Sequence, residues 1–336
     1  MTARVLVAPD DFKGTFTAPE VAAAIAGGIR AAGLEADELP IADGGGGTMA
    51  ALHASLGGEL RTERVSDPLG RPVEARWLLL PDGRGAVVEM AAASGLSLVA
   101  PEERDPWRAS TSGTGELIAA AARAGAETVL VGVGGSATTD GGAGAVAALR
   151  DAGGRLPALR VLCDVRVTFE DCARVFGPQK GADDAMVERL TQRLHELAGQ
   201  APRDPRGVPM TGAAGGLAGG LWAFCGAELV EGAPYILDAV KLDERLAAAD
   251  AVVSGEGRLD DQTLTGKAIA ELARRCRAAG RPLHVVAGSR TLGDDDVAAL
   301  GLASVQEATT LDELRAAGRA LAEAVGNHAG HEKESA

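Results

Sequence analysis

Five polar, glycine-rich clusters hold most of the side chains able to do chemistry: PDDFKG at 9–14, ADGGGGT at 42–48, GVGGSATTDGG at 132–142, FGPQKG at 176–181 and GEGRLDDQT at 255–263. Glycines let backbone N–H groups come close to an anion, and a helix expected at about 143–149 would turn its positive end toward the third cluster. That loop therefore suits a phosphate, with Gly134, Gly135, Ser136, Thr138 and Asp140 as the candidate contacts. The plainer alternative is a tight strand-to-helix turn whose glycines supply positive φ. Lys13, Lys180, Arg258 and Lys267 each sit in a glycine-containing loop, and Asp10, Asp43, Asp140, Asp164, Glu256 and Asp260 are the nearby carboxylates. Cations that spread charge on phosphoryl oxygens, with a carboxylate to hold Mg²⁺ or orient a hydroxyl, are what phosphoryl transfer asks of a protein. For any one carboxylate a helix cap or a solvated turn is the competing reading.

Other chemistries fit less well. No Walker loop exists, because Gly266-Lys267 is followed by Ala268 and no glycine stands at 261. Gly132-x-Gly134-x-x-Ala137 is a loose dinucleotide fingerprint, with Asp151 or Asp164 as the acidic partner. The stretch after it shows no clean following strand, so a nicotinamide-dependent dehydrogenase is the alternative of a different class. His53 and His195 fall in helical runs, His284 in a strand-like one and His328 and His331 near the end, none beside a nucleophile loop.

The elements that must position these loops follow from periodicity. Residues 4–8, 37–42, 128–133, 251–254, 283–287 and 303–306 are strand-like, while 18–32, 115–124 and 266–279 carry a helical period. Thr17 with Glu20 three residues on is a capping-box start. Strands separated by helices imply a parallel sheet, and ligands of such sheets bind outside the strands' carboxyl ends. Residues 60–90 lack a helical period and carry turn signals at DPLG and PDG, as a β meander would. Residues 199–212, with Pro202, Pro205 and Pro209, read as a surface loop. The fold class is α/β in two domains: a parallel-sheet domain from both chain ends (1–60 and 240–326) and a large inserted α/β domain (61–239). Residues 327–336 are expected to be a disordered tail.

With 336 residues the chain can bury a large core, and at 3% aromatics that core must be aliphatic. A net charge of −14 speaks against nucleic-acid or anionic-membrane partners. Cys163, Cys172, Cys225 and Cys276 form no C-x-x-C pair, as in a reducing compartment. Neither a signal peptide nor an apolar run of membrane-spanning length is seen. A cytoplasmic protein, monomeric or a small homo-oligomer, acting on small molecules is expected.

At these motifs the chain resembles the bacterial class I glycerate kinases, over about residues 3–325. The likeness is carried by APDDFKGTFTAPEVAAAIAGGI at 8–29, ADGGGGT at 42–48, DPLGRPV at 67–73, EMAAASGL at 89–96, STSGTGELI at 110–118, GVGGSATTDGGAG at 132–144, VFGPQKGA at 175–182, GAAGGLAGGL at 212–221 and SGEGRLDDQTLTGK at 254–267. The resemblance implies a two-domain fold, a flavodoxin-like parallel-sheet domain with a large α/β insert, and transfer of the ATP γ-phosphoryl group to D-glycerate, usually giving 2-phosphoglycerate, with Mg²⁺. We expect ATP phosphates on the 132–142 loop with help from Lys180 and Lys267. Asp43, Asp164 and Asp260 would serve Mg²⁺ or the hydroxyl proton, with Asp43 and Asp164 as metal ligands. Lys13 and Arg258, beside Asp11 and Glu256, would hold the acceptor carboxylate. Where this chain has Asp11, Gly46 and Thr139, family members commonly carry Ser or Lys, Glu, and Asn, and RVTFED at 166–171 replaces the usual Asn-Pro-Leu continuation. These departures bear on the acceptor, so another small hydroxy acid is the second substrate reading, and a ligand-binding relative without turnover the third.

Overall fold

The computed structural model of the chain describes residues 2–261, 263–265 and 268–334. Among them run eleven strands: β1 (Arg4–Val7), β2 (Glu35–Glu38), β3 (Glu59–Ser66), β4 (Pro72–Leu79), β5 (Gly85–Glu89), β6 (Thr128–Val133), β7 (Ala158–Cys163), β8 (Glu228–Glu231), β9 (Ala251–Glu256), β10 (Leu283–Ala287) and β11 (Leu302–Glu307). They form two sheets in two compact units. One unit takes Met1–Asp43, Ala50–Ser55 and Ala233–Ala336; the other takes Gly44–Met49 and Leu56–Gly232.

The first unit's sheet has the order β11-β10-β9-β1-β2, with every neighbouring pair parallel. Counted within this sheet alone, the order is the 2-1-3-4-5 of flavodoxin-like folds, whose switch point lies between β1 and β9. Covered on both faces, the central strands carry apolar runs: Val5, Leu6 and Val7 on β1 and Ala251, Val252 and Val253 on β9 are all buried. Helix Ala18–Ala31 begins at the expected capping box, Thr17 N donating to Glu20 Oε2 at 2.9 Å. It lies against helix Leu311–Glu334 at backbone contact distance. A Cβ added at Gly28 would stand 1.9 Å from the Arg315 carbonyl oxygen, and one at Gly318 2.2 Å from that of Ile25.

The second unit holds a six-stranded mixed sheet in the order β3-β4-β5-β6-β7-β8. The meander expected over 60–90 is the antiparallel β3-β4-β5, and from β5 onward the pairs are parallel. Trp77, Leu117, Ile118, Val129 and Val131 are among its buried core. A separate apolar cluster of Phe169, Cys172, Leu190, Leu194 and Ala198 packs outside that core.

Two sequence expectations are corrected. β2 spans Glu35–Glu38 rather than 37–42, since Pro40 has no N–H for a ladder. A strand does follow helix Ala143–Ala152: it is β7, parallel to β6. Its Arg160 breaks the apolar run that would have betrayed it. The last helix is Leu311–Glu334. No helix among the described residues is long and apolar enough to cross a membrane.

Candidate active site

A pocket of about 590 Å3 opens in the first unit at the carboxyl ends of its strands. The segment after β1 contributes Asp10, Asp11, Phe12, Lys13 and Thr15, and Asp43 comes from the segment after β2. The β9 loop adds Glu256, Gly257, Arg258 and Asp260, the β10 loop Gly288 and Ser289, and the end of β11 Thr309. The pocket thus surrounds the topological switch point, where ligands of open α/β sheets bind. Glycine makes the approach possible: a Cβ at Gly288 would lie 2.6 Å from the Gly257 carbonyl oxygen.

Charge in this pocket is graded by depth. Asp10 and Asp43 are buried, at 7% and 2% exposure. Burial, reinforced by the Asp43 charge, holds the Asp10 carboxyl well above the ordinary carboxylate range. Burial also raises Asp11, although its Oδ1 accepts the Ala18 N–H at 2.6 Å. That bond makes Asp11 a cap for the following helix as well as a wall of the pocket. Lys13 reaches Asp43 at 3.8 Å from an exposed position, and Arg258 lies 3.3 Å from Asp260. Glu256 accepts from Thr263 Oγ1 at 2.8 Å. Two exposed cations above buried acids can receive a small carboxylate and handle a proton beneath it.

The second unit contains the 132–142 loop. Val133 N donates to the Gly44 carbonyl at 3.0 Å, so residues 44–46 lie directly against the 132–134 end of the loop. Asp140 is not an open anion contact. Its Oδ2 accepts the N–H and Oγ1–H of Thr111, each at 2.9 Å, and the Gly144 N–H at 3.1 Å. Its Oδ1 accepts the Gly142 N–H at 3.0 Å, so the carboxylate caps helix Ala143–Ala152. The dinucleotide reading of Gly132–Ala137 also fails on geometry, because the helix opens only at Ala143, too late for its third small residue.

Lys180 is 1% exposed, and its Nζ donates to the Thr138 carbonyl at 2.5 Å. It therefore lies beneath the loop. Burial pulls its ammonium down to about 8, opposed by Cys172 and Asp140. Arg193, on helix Asp184–Gln200, donates to the Thr139 carbonyl and, at 2.8 Å, to that of Trp107. Its guanidinium lies 4.7 Å from the Trp107 ring centre. Gly134, Gly135, Ser136 and Thr138 form the remaining run of the loop, with Ala137 N bonded to the Ser94 carbonyl at 3.0 Å.

The structure thus gathers Asp11, Lys13, Asp43, Glu256, Arg258 and Asp260 in one unit's pocket. It gathers Gly134, Gly135, Ser136, Thr138, Asp140 and Lys180 around the other unit's loop. Asp164 directly follows β7 in the second unit, so it and Asp43 belong to different units. Lys267 lies outside the described residues. Sequence reasoning missed Arg193, Thr111 and the small-residue stretch 212–220, whose Gly215, Gly216 and Gly220 press on the back of the loop. The run of glycine and alanine in GAAGGLAGG was the available signal for such close contact. The four cysteines are free, as expected, and His284 is engaged with Ser304 at 2.8 Å within the first sheet.

Fold and site together define an α/β protein built to hold small anionic ligands at strand and helix ends. The profile of the glycerate kinase family matches residues 5–156 and 151–329, and the chain belongs to that family. It is 40% identical to glycerate 2-kinase of Escherichia coli K12, covering 88% of this chain and 86% of that protein. It is 38% identical to glycerate kinase of Bacillus subtilis 168, covering 85% of each. A crystal structure from Salmonella typhimurium LT2, bearing the name glycerate kinase 2, superposes with a TM-score of 0.85. It is 35% identical and covers 99% of this chain and all of that one.

Proposed function

We propose that the protein is an ATP-dependent kinase that phosphorylates D-glycerate to 2-phosphoglycerate. The observation that carries this reading, beside family membership, is the switch-point pocket, with Lys13 and Arg258 exposed above the buried Asp10 and Asp43. A hydroxy acid held through its carboxylate by those cations would present its hydroxyl to the carboxylates below. Asp43 or Asp260 would then take the hydroxyl proton as the phosphoryl group is accepted. The 134–142 loop, with its glycine backbone, is the seat for the ATP phosphates.

Mg²⁺ fits this donor set. Among the described residues no three carboxylate, histidine or cysteine groups form a metal cage. Mg²⁺ characteristically uses one or two carboxylates and completes its shell with water and substrate phosphates. Asp43 is the residue of this pocket we assign to it, with Asp164 the candidate ligand of the second unit, and when bound the ion would neutralise phosphate charge. A cytoplasmic location and a monomeric or small homo-oligomeric state accord with the net charge of −14 and the free thiols. Asp11 and Gly46, as departures from the family pattern, favour keeping a second small hydroxy acid in the assay; a Cβ at 46 would meet nothing within 4 Å.

The test is ADP release from ATP and Mg²⁺ over a panel of hydroxy acids, with phosphorus NMR of the product. Turnover with glycerate and a phosphate signal coupled to the C2 proton is expected. No ADP release with any member of the panel would sink the proposal.

A further inference from the structure

Lys180 and Arg193 use their charges inside the protein. Each donates to a backbone carbonyl of the same loop, Lys180 to that of Thr138 and Arg193 to that of Thr139. In a planar trans peptide the C=O of one residue and the N–H of the next point in opposite directions. Pinning these two carbonyls therefore fixes the N–H groups of Thr139 and Asp140 on the opposite side of the loop. Among the described residues, the Thr138 and Thr139 hydroxyls are buried with no hydrogen-bond partner. The carbonyls are thus held by the two cations rather than by a hydroxyl network.

We propose that Lys180 and Arg193 are positioning residues of the kinase reaction, a two-point clamp that turns consecutive loop amides toward the ATP phosphates without touching them. The proposal rests on the phosphate-loop reading given above. Both anchors are stiff. Arg193 is stacked on Trp107 and fixed to its carbonyl, and Lys180 ends the short helix Pro178–Lys180 before Gly181 at φ +96°. Preorganised donors of this kind stabilise charge without reorganising during the reaction. The titratable and charged groups facing Lys180 are Cys172 and Asp140; Arg193 faces these two and Asp105. Cys172 is pushed up to about 12 by burial, so within the neutral range the lysine itself is the group that changes charge.

Lys180→Met, Arg193→Met and Arg193→Lys are compared with Gly135→Val, which forces a branched side chain into φ +65° within the loop. Each clamp variant to Met is expected to raise the KM for ATP about tenfold or more, the loss of a charged hydrogen bond, while the KM for glycerate stays within about twofold. Arg193→Lys should recover part of the loss. In the parent enzyme the KM for ATP should climb between about pH 7.5 and 9.5 as the lysine loses its charge, and Lys180→Met should remove that climb. An unchanged KM for ATP in both Met variants, with Gly135→Val impaired, overturns the clamp and leaves the phosphate loop standing. If Gly135→Val is also unimpaired, the loop reading falls and takes the clamp with it. Should Lys180→Met show no cooperative melt, a flat parent profile over that pH range overturns the proposal.

Discussion

A single methyl group at position 215 would strike the carbonyl that Lys180 holds. Gly215 has φ +65°, and a Cβ there would lie 1.9 Å from the Thr138 oxygen, 2.8 Å from its carbon and 2.9 Å from the Thr139 Cα. Two costs combine in Gly215→Ala. The left-handed backbone costs an alanine roughly 1–2 kcal/mol, and overpacking a rigid neighbour adds about 1–3 kcal/mol. Backbone cannot rotate aside as a side chain can, so the 138–139 peptide must withdraw by about 1 Å, a displacement that elsewhere costs on the order of 10² in rate. The expected outcome is a melting temperature lowered by about 5–10 °C and kcat/KM for ATP reduced about 10²-fold. Gly226→Ala is the control, left-handed at φ +70° and ψ +22° with nothing within 4 Å, and should lose only the backbone term, leaving the KM for ATP unchanged. Differential scanning fluorimetry and a coupled ADP assay read both quantities. A Gly215→Ala enzyme within about threefold of the parent in kcat/KM would refute the claim that loop position is set from behind.

The remaining predictions concern stability. Gly199 lies in helix Asp184–Gln200 with open space around its α-carbon, so Gly199→Ala should stabilise the protein by about 0.5–1 kcal/mol in a urea titration. Lys180 titrates at about 8 when folded and at 10.5 as a free side chain. Between those values the unfolded chain binds more protons, so this group makes stability rise with pH from about 8, while below that the cost of burying the ammonium is fully present. Cys163, Cys172 and Cys276, raised from 9.0 to about 12, act in the opposite sense above pH 9. The difference between the parent and Lys180→Met therefore isolates the lysine: urea midpoints at pH 7.5 and 9 should move up in the parent relative to the variant.

Much of this architecture was written locally. β6 and β10 coincide with their apolar runs, the meander with its turn signals, and the helix at Ala18 with its capping box. The glycine-rich loops were legible because glycine beside Lys or Asp is a local pattern. What stayed hidden depends on partners distant in sequence. β7 lies inside the sheet although Arg160 interrupts it, and Arg160 bonds Glu228 on β8 at 2.8 Å, 68 residues away. Asp140 looks like a phosphate contact until Thr111, 29 residues earlier, accounts for two of its bonds. Lys180 was recognisable as a cation near glycines, but no spacing rule says that its ammonium turns inward to a carbonyl 42 residues back.

The same distinction explains why a loop so rich in glycine should be a precise binding element. If its glycines supplied mobility, their surroundings would be open, as they are at Gly153, Gly154 and Gly207. Instead, a Cβ at Gly134 would stand 3.0 Å from the Gly45 Cα, one at Gly141 2.9 Å from Phe169, and one at Gly142 3.1 Å from the Leu217 carbonyl oxygen. These glycines are there because two backbones and an aromatic ring occupy the space of their side chains. The loop's conformational entropy is consequently lost on folding, when the 212–220 stretch closes on it, and little remains to be lost when ATP arrives. On the proposed reading, a chain of net charge −14 would hold a triphosphate on those terms, the attraction coming from fixed amide dipoles and a few local cations rather than from its overall field.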